Sequence, residues 1–343
     1  MRTTPGTGRA APTNRRITSY DVARAAGVSR SAVSLVLNGR ADGVISAENQ
    51  HAVRAAAKRL GYRPNRVARS LRDRRTHLLG VVTDVTSGPY GGGMITGATI
   101  RAAKSDHLLL VMDARGRQQD EEAIGALLAR QVDGLIIAPG SLCEWRPGEA
   151  FGQVPGILLD ATDPDGRATC VVSDEVGGGH AATRLLLDAG HRDIALLTGL
   201  PAQVATGRRL AGHELAMSEV GGACRVITCG WDIDDGLREG ARLLDGPDRP
   251  TGIVCANDRV AAGVMLAAAR AGVDVPGELS VVGYDDDPSI AAQLDLSTIG
   301  LPHRAMGERA VELLLAAIAG QRLEPGELLV PAPVVERGSV RAR

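Results

Sequence analysis

Four polar residues stand within two residues of the end of a short apolar run in the second part of the sequence, where they could bind a ligand. They are Asp84, Asp160, Asn257 and Asp285. Because open α/β sheets bind ligands outside the carboxyl ends of their strands, these carboxylates and this amide could converge on one cleft. Taken singly, each is more commonly a turn former or a helix cap. Their shared position after predicted strands indicates a binding cleft.

Motifs for catalysis, metal binding and phosphate binding are weak. The run 285–287 (Asp-Asp-Asp) could serve as a metal or acid/base cluster, but chain neighbours point apart and Pro288 follows, which favours a turn. The glycine run at 91–97 lacks the G-x-G-x-x-G spacing, and neither G-K-[ST] nor G-x-S-x-G occurs. The histidines show no ligand spacing, and the five cysteines form no C-x-x-C pair. We therefore expect no catalytic residues, no metal and no cofactor.

A second group of polar residues lies near the N-terminus, around two short predicted helices. Residues 17–27 have a hydroxyl cap, apolar residues at helical spacing and a terminal glycine, and Ser29 can cap a second helix over 30–38. The outward residues of this second helix are Arg30, Ser31, Ser34 and Leu35. A third helix is predicted over 46–60. The pattern is that of a helix-turn-helix, although the turn alone fits a helical hairpin in an ordinary bundle equally well.

The distribution of charge favours a nucleic acid partner for these helices. Residues 1–75 carry 16 basic and 4 acidic side chains, whereas residues 76–343 carry 23 basic and 36 acidic ones. A basic module next to an acidic one indicates a polyanion that binds only the first. A helix of this size fits the DNA major groove, where Arg30 could read a guanine. A membrane surface would need a long amphipathic stripe with large aromatic residues, which the sequence lacks.

The remainder of the chain alternates short apolar runs with helical stretches, the pattern of a doubly wound α/β protein with parallel sheets. The runs are 79–83, 108–112, 134–138, 156–159, 170–172, 194–197, 226–228, 253–256 and 279–283. Nine strands over roughly 260 residues exceed one comfortable core, so two lobes are expected. There is no apolar run of 18 residues and no signal-peptide-like start, which predicts a cytoplasmic protein without membrane attachment.

The chain resembles the LacI/GalR family of bacterial transcriptional regulators. The matching runs are TSYDVARAAGVSRSAVSLVLNG at 18–39, ISAENQ at 45–50 and LGYRPNRVARSLR at 60–72. The resemblance implies that Arg30, Ser31 and Leu35 face the bases. It also implies that the DNA backbone is held by Thr18, Ser19, Tyr20, Ser29, Ser34 and Asn38. Ala32 is a further DNA-contacting position, where many family members have a hydroxyl group.

The segment 65–72, after the third predicted helix, resembles the hinge helix of the family. In the family this helix becomes ordered when it binds DNA. It follows Pro64 and is too short to be a stable helix alone. The resemblance implies that Leu71 wedges into a central base step of the minor groove and bends the duplex. Asn65, Arg66 and Ala68 are the other DNA-contacting positions that it implies here. The alternative interpretation is a plain arginine-rich linker.

Four further motifs carry the resemblance into the body of the chain: LLD at 158–160, GRRLAG at 207–212, CAND at 255–258 and VGYDD at 282–286. They put Asp160, Arg209, Asn257 and Asp285 at effector-contacting positions, with Trp231 where some members place an aromatic wall. Such a set suits a polyhydroxylated ligand. Because the chain has only one Phe, two Trp and four Tyr, several stacking rings cannot be assumed. A nucleoside, polyol or carboxylate effector remains open.

The family comparison implies a periplasmic-binding-protein-like core whose chain crosses between two lobes near Ser173, Leu301 and Pro331. The predicted segments are a flexible arm (1–16), a helix-turn-helix headpiece (17–63), a hinge helix and linker (64–76), an N-terminal lobe (77–172 and 301–331) and a C-terminal lobe (173–300 and 332–343). The predicted function is that of a homodimeric repressor that binds a near-palindromic operator under control of an effector between the lobes. A transport-type binding protein and an enzyme on the same body are the alternatives.

Overall fold

The computed structural model describes residues 17–62, 75–84 and 92–343. The protein divides into two compact units, residues 1–76 and residues 77–343. Among the described residues, no helix combines the length and the apolar character needed to span a lipid bilayer. The two units are described separately below.

Three helices form the first unit: α1 (Ser19–Ala26), α2 (Arg30–Leu37) and α3 (Ala47–Leu60). Local sequence sets their ends. A capping box between Thr18 and Asp21 starts α1, and Gly27 ends it in the left-handed conformation that glycine adopts without strain. The Ser29 hydroxyl then caps α2 by accepting a hydrogen bond from the Ala32 amide at 3.1 Å. The two helices are therefore separated by a turn of only three residues.

A small core holds the three helices together. Val22, Val33, Val36 and Val53 are almost fully buried, and alanines of α3 pack against them. Leu37 is half-buried and packs against this cluster. Arg30 and Ser31, at the start of α2, do not take part in this core and face solvent.

The second unit contains two parallel sheets with helices between successive strands. Its strands are β1 (Leu78–Thr83), β2 (Leu108–Asp113), β3 (Gly134–Ala138), β4 (Cys143–Glu144), β5 (Gly156–Leu159), β6 (Ala161–Thr162), β7 (Thr169–Ser173), β8 (Ile194–Thr198), β9 (Arg225–Thr228), β10 (Gly252–Cys255), β11 (Ser280–Val282), β12 (Thr298–Ile299), β13 (Gly326–Val330) and β14 (Val334–Val335). Its helices are α4 (Gly92–Ala103), α5 (Arg117–Ala129), α6 (Glu175–Asp188), α7 (Val204–Glu219), α8 (Ile233–Asp245), α9 (Asp258–Ala271) and α10 (His303–Ile318).

The strand order shows how the chain makes two lobes. One sheet has the order β13-β7-β5-β3-β1-β2 and the other β11-β10-β8-β9. The chain passes from the larger sheet to the lobe of the smaller sheet after β7. It returns to the first lobe at α10, which packs on α4. It leaves that lobe again after β13, and β14 then pairs with β12. The two-lobed α/β architecture is confirmed, whereas the domain boundaries stay predictions.

All nine predicted strands lie in the two sheets, but the sequence did not reveal β13. This strand pairs in parallel with β7 at the edge of the larger sheet, and most of its residues are exposed or half-buried. An edge strand needs no continuous apolar run, because one flank and part of each face remain in water. A search of the sequence for continuous apolar runs therefore does not detect β13.

Candidate functional site

The predicted DNA-contacting residues that the structure describes lie on and around α2. Thr18, Tyr20, Ser29, Arg30 and Ser31 are exposed. Ser19, Ser34, Leu35 and Asn38 are half-buried. Ala32 is buried, with 7% of its surface accessible.

Several of these polar groups already make hydrogen bonds inside the headpiece. The Thr18 hydroxyl donates to Asp21 at 2.7 Å, and the hydroxyls of Ser29 and Ser31 are 2.8 Å apart. The Asn38 amide donates to the carbonyl of Ser34 at 2.6 Å. Among the described residues, the Arg30 guanidinium has neither a hydrogen bond nor an ion pair. It is therefore the strong donor at the start of α2 that is ready for an external partner.

The predicted hinge contacts cannot be placed in the same way. Asn65, Arg66, Ala68 and Leu71 lie outside the described residues, as do residues 1–16 of the predicted arm. The contacts of these residues with DNA stay predictions.

In the second unit, five of the six predicted effector residues line one cleft between the two lobes, with a volume of about 220 Å³. They are Asp160, Arg209, Trp231, Asn257 and Asp285. The sixth residue, Asp84, is absent from the described lining. Its carboxylate instead accepts a hydrogen bond from the amide of Gly140, which does line the cleft. The remaining lining residues are Ser141, Leu142, Glu175, Gln203, Ala205, Asp232, Arg259, Leu301 and His303.

Arg209 on α7 is the centre of the cleft's charge network. Its Nε donates to Glu175 Oε2 at 2.5 Å, and its Nη1 donates to the Ala256 carbonyl at 2.5 Å. Asp285 Oδ1 lies 3.6 Å from the same Nη1, and the guanidinium stacks on the Tyr284 ring at 3.6 Å from its centroid. The side chains of Arg209 and Glu175 are 10% and 2% exposed. A buried pair of this kind is held in place by its hydrogen bonds and fixes the position of the guanidinium.

Two buried carboxyl groups face this arginine from opposite lobes. Asp160 follows β5, and burial, reinforced by the charge of Glu175, raises the pKa of its carboxyl to about 7. Burial likewise raises the pKa of Asp285 well above its ordinary value, although Arg209 opposes the shift. Asp160 and Asp285 both have positive φ angles, 56° and 106°. Backbone strain at non-glycine residues is typical of functional positions.

Asn257 and Trp231 line the cleft from the lobe that does not contain Asp160. Asn257 caps α9, because its Oδ1 accepts from the Val260 amide at 2.8 Å, while its Nδ2 donates to the Trp231 carbonyl at 3.0 Å. The indole nitrogen of Trp231 donates to Gln203. Asn257 therefore serves as a helix cap and also lines the cleft, and Trp231 presents half-buried indole surface to a ligand.

Glu175 is the main cleft residue that the sequence analysis missed. It begins α6, two residues after β7 ends, so the rule that selected the other carboxylates applies to it as well. The apolar run at 170–172 predicts β7, but the predicted effector residues do not include the acidic residues that follow this run. Its pairing with Arg209, 34 positions along the chain, is a tertiary contact without a local signal.

We expect the buried Asp160 carboxyl to make stability depend on pH. Because its pKa is about 7 in the folded chain and 3.8 as an isolated group, the folded state binds this proton more tightly than the unfolded state between those values. The free energy of unfolding should therefore fall as pH rises from about 4 to about 7. Asp160→Asn should flatten this fall in urea titrations at a series of pH values. A residual slope of the same sign should remain, because the pKa of Asp258 is raised to about 6 and that of Asp285 is raised well above its ordinary value.

The exposed Asp165, which pairs with Arg167 at 2.6 Å, provides the control substitution Asp165→Asn. That variant should keep the pH dependence of the wild type. An unchanged slope in Asp160→Asn would contradict the assignment of the effect to Asp160.

Known proteins resemble this chain in both units. Residues 18–65 match the family described as bacterial regulatory proteins, lacI family, and residues 183–340 match the periplasmic binding protein-like domain. The ribose operon repressor of Haemophilus influenzae is 32% identical over 332 residues, covering 94% of this chain and 98% of that protein. The HTH-type transcriptional repressor PurR of Erwinia tasmaniensis is 31% identical over 335 residues, covering 94% of this chain and 96% of that protein.

Solved structures give the same result over nearly the full length. The lac repressor bound to ONPG in the repressed state has a TM-score of 0.76 at 30% identity, covering 95% of this chain and 100% of that one. The lac repressor dimer bound to operator and the anti-inducer ONPF has a TM-score of 0.75 at 29% identity, covering 96% and 100%. With relatives above 30% identity that align over almost all of both chains, the conclusion is direct: this chain belongs to the lacI family of bacterial regulatory proteins.

Proposed function

We propose that the protein is a homodimeric transcriptional repressor whose two headpieces each bind half of a near-palindromic operator. The observation that carries this proposal is the combination, in one chain, of two features. Arg30 on the helix-turn-helix is exposed and has no partner among the described residues, and a separate unit contains a cleft lined by six charged side chains. A two-fold dimer presents two such helices to half-sites about one turn of the duplex apart. The full-length likeness to the operator-bound lac repressor dimer supports this assembly.

Within the headpiece, the start of α2 is proposed to enter the major groove. Arg30 and Ser31 lie in the first turn of α2, the part of a recognition helix that contacts base edges. Thr18, Tyr20 and Ser29 flank this turn and could position the helix on phosphates. Ala32 is proposed to support the helix from its buried side, since only 7% of its surface is accessible.

Arg30→Ala should weaken binding to the preferred operator by about 1–3 kcal/mol, because a bidentate contact to guanine is lost. The loss should relax the preference at one base pair in each half-site. Binding to operators that carry every substitution at each position would measure it. The matched control is Arg54→Ala on α3, where the guanidinium pairs with Gln50 at 3.1 Å. An equal loss on all sequences would instead make Arg30 a phosphate contact.

The cleft is proposed to bind the effector that controls DNA affinity. Asp160 comes from one lobe, whereas Arg209, Trp231, Asn257 and Asp285 come from the other, so a ligand that contacts both changes the relative stability of their possible arrangements. Such a ligand shifts the population of DNA-binding dimers in proportion to its differential affinity for the two arrangements. The carboxylates and the amide suit hydroxyl donors, as in a sugar or a related metabolite.

Binding without turnover distinguishes this function from an enzyme on the same body. Two relatives are named as repressors, which supports the regulatory function over an enzymatic one. The proposed site of action is the cytosol, because the operator DNA is there. A ligand of the cleft should change operator affinity in a titration at constant salt and be recovered unaltered after long incubation with the protein. Formation of a product would favour the enzyme. A ligand that binds the cleft without any change in operator affinity would contradict the regulatory proposal.

A further inference from the structure

The cleft carries more acidic than basic side chains. Its lining includes four carboxylates, Asp160, Glu175, Asp232 and Asp285, against two guanidiniums, Arg209 and Arg259. Six of the fifteen lining residues therefore carry an acidic or basic side chain, with an excess of two negative charges when all carboxyls are ionised. His303 is the remaining lining side chain that can gain a proton.

Both guanidiniums are already engaged by carboxylates from the same lining. Arg209 donates to Glu175 at 2.5 Å and lies 3.6 Å from Asp285, and its Nη1 also donates to the Ala256 carbonyl. Arg259, nearer the surface, lies 3.0 Å from Asp232. An anionic ligand would have to compete with these carboxylates for each cation, and with Glu175 at a site that is almost fully buried.

Asp160 is the carboxyl group without such a partner. It is 5% exposed, and none of the described residues gives its side chain a hydrogen bond or an ion pair. In the sequence, residues 85–91 contain no Lys, Arg or His. A buried carboxylate without an ion-pair partner is unfavourable when the negative charge of Glu175 acts on it more strongly than the positive charge of Arg209, and these effects raise the pKa of Asp160.

From this charge distribution we infer that the ligand of the cleft carries a protonated amino group in addition to hydroxyls, as in an amino sugar or an aminopolyol, and that the amino group binds Asp160. Glu175 contributes by neutralising Arg209, so that the guanidinium does not attract carboxylates or phosphates. The ammonium offers up to three donors to Asp160, while the hydroxyls bind Asp285 and Asn257. The inference rests on the proposed role of the cleft as the effector site.

Calorimetry with matched ligands tests this inference. The probes are glucosamine, galactosamine, mannosamine and 1-amino-1-deoxyribitol, each beside its neutral counterpart, together with gluconate and glucose 6-phosphate. Because a hydrogen bond to a charged group contributes more than one to a neutral group, the binding amine should have at least about tenfold higher affinity than its hydroxyl counterpart. The two anions should bind the wild-type protein at least about tenfold more weakly than the binding amine.

Two substitutions separate the roles of the carboxylates. Asp160→Asn should reduce the amine preference by at least about tenfold, because the amide retains an acceptor but has no charge. Glu175→Gln should raise the affinity for an anionic probe by at least about tenfold, because Arg209 loses its closest counter-charge. The control is Glu219→Gln, whose carboxylate pairs with His180 and Arg184 and does not line the cleft. It should bind all probes as the wild type does.

Operator binding in the same samples distinguishes the failure of this inference from the failure of the regulatory proposal. A neutral sugar or an anion that binds at least as tightly as every amine overturns the inference, and so does the absence of binding by all four amines. If such a neutral or anionic probe also shifts operator affinity, the regulatory proposal stands and only the charge assignment is wrong. An amine preference that persists in Asp160→Asn would overturn the placement of the ammonium.

Discussion

Arg209→Met is expected to lower the free energy of unfolding by about 3–5 kcal/mol, the usual effect of removing one partner from a buried charge network. The substitution leaves Glu175 without its 2.5 Å partner and takes away the cation nearest to Asp285. It also frees the Ala256 carbonyl and the face of Tyr284. Methionine retains much of the side-chain volume, so the measured loss reports charge and hydrogen bonding more than a cavity. Urea unfolding at neutral pH provides the free energies.

At a temperature at which Arg209→Met is still folded, its operator affinity should no longer respond to the effector. In the absence of effector, the variant should still bind operator. The control is Arg208→Met on the same helix, where the guanidinium pairs with Glu327 at 2.7 Å in a partly exposed position. That pair should contribute no more than about 1 kcal/mol. A double variant with Glu175→Gln should recover part of the stability, since the buried carboxylate is then neutral. Equal stability losses in Arg209→Met and Arg208→Met would contradict the buried network.

Gly212→Ala is expected to have the second large effect, a loss of about 1–3 kcal/mol or more in the free energy of unfolding. Gly212 lies on α7 where that helix crosses α6, and a Cβ there would collide with the carbonyl of Val176 and come within 2.5 Å of the His180 amide. Neither group can move without shifting a helix backbone. Because Arg209 is on the same helix and Glu175 is on the other, separation of the helices should weaken ligand binding too.

Gly207→Ala is the matched control for this prediction. Gly207 is also on α7, is exposed, and has no atom within 4 Å of a built Cβ. Alanine has the higher helix propensity, so this variant should be more stable than the wild type by about 0.5–1 kcal/mol. Thermal unfolding of both variants, with calorimetric ligand binding, measures the contrast. Two variants of equal stability would show that the helix crossing tolerates a side chain.

The sequence predicted the headpiece well because its signals are local. Thr18, Ser29 and Ser46 start helices, and Gly27 and Gly61 end them, all within a few residues of the groups that they satisfy. Apolar runs likewise predicted the buried strands of both sheets. The edge strand β13 was not predicted, because its recognition depends on pairing with β7 about 150 positions earlier in the chain.

Part of the cleft could be predicted because some of its residues have local sequence signals. Asp160, Asn257 and Asp285 follow strands, so a rule about sheet edges could select them, and family motifs added Arg209 and Trp231. Asp84 satisfied the same rule, yet its carboxylate bonds to a neighbouring loop amide. Glu175 became recognisable as a partner of Arg209 only in three dimensions. Which carboxylates face a ligand and which support the chain depends on tertiary contacts that sequence spacing does not encode.

The most direct test of effector-controlled operator binding is selection of random duplex DNA by the full-length protein at a fixed salt concentration, followed by sequencing. A dimer with one recognition helix per headpiece should enrich a near-palindromic site whose half-sites lie about one helical turn apart. The hinge prediction adds a flexible pyrimidine–purine step at the centre. Addition of a ligand of the cleft should change the yield of that site without changing its sequence. Enrichment of no sequence, with or without such a ligand, would contradict the regulatory function.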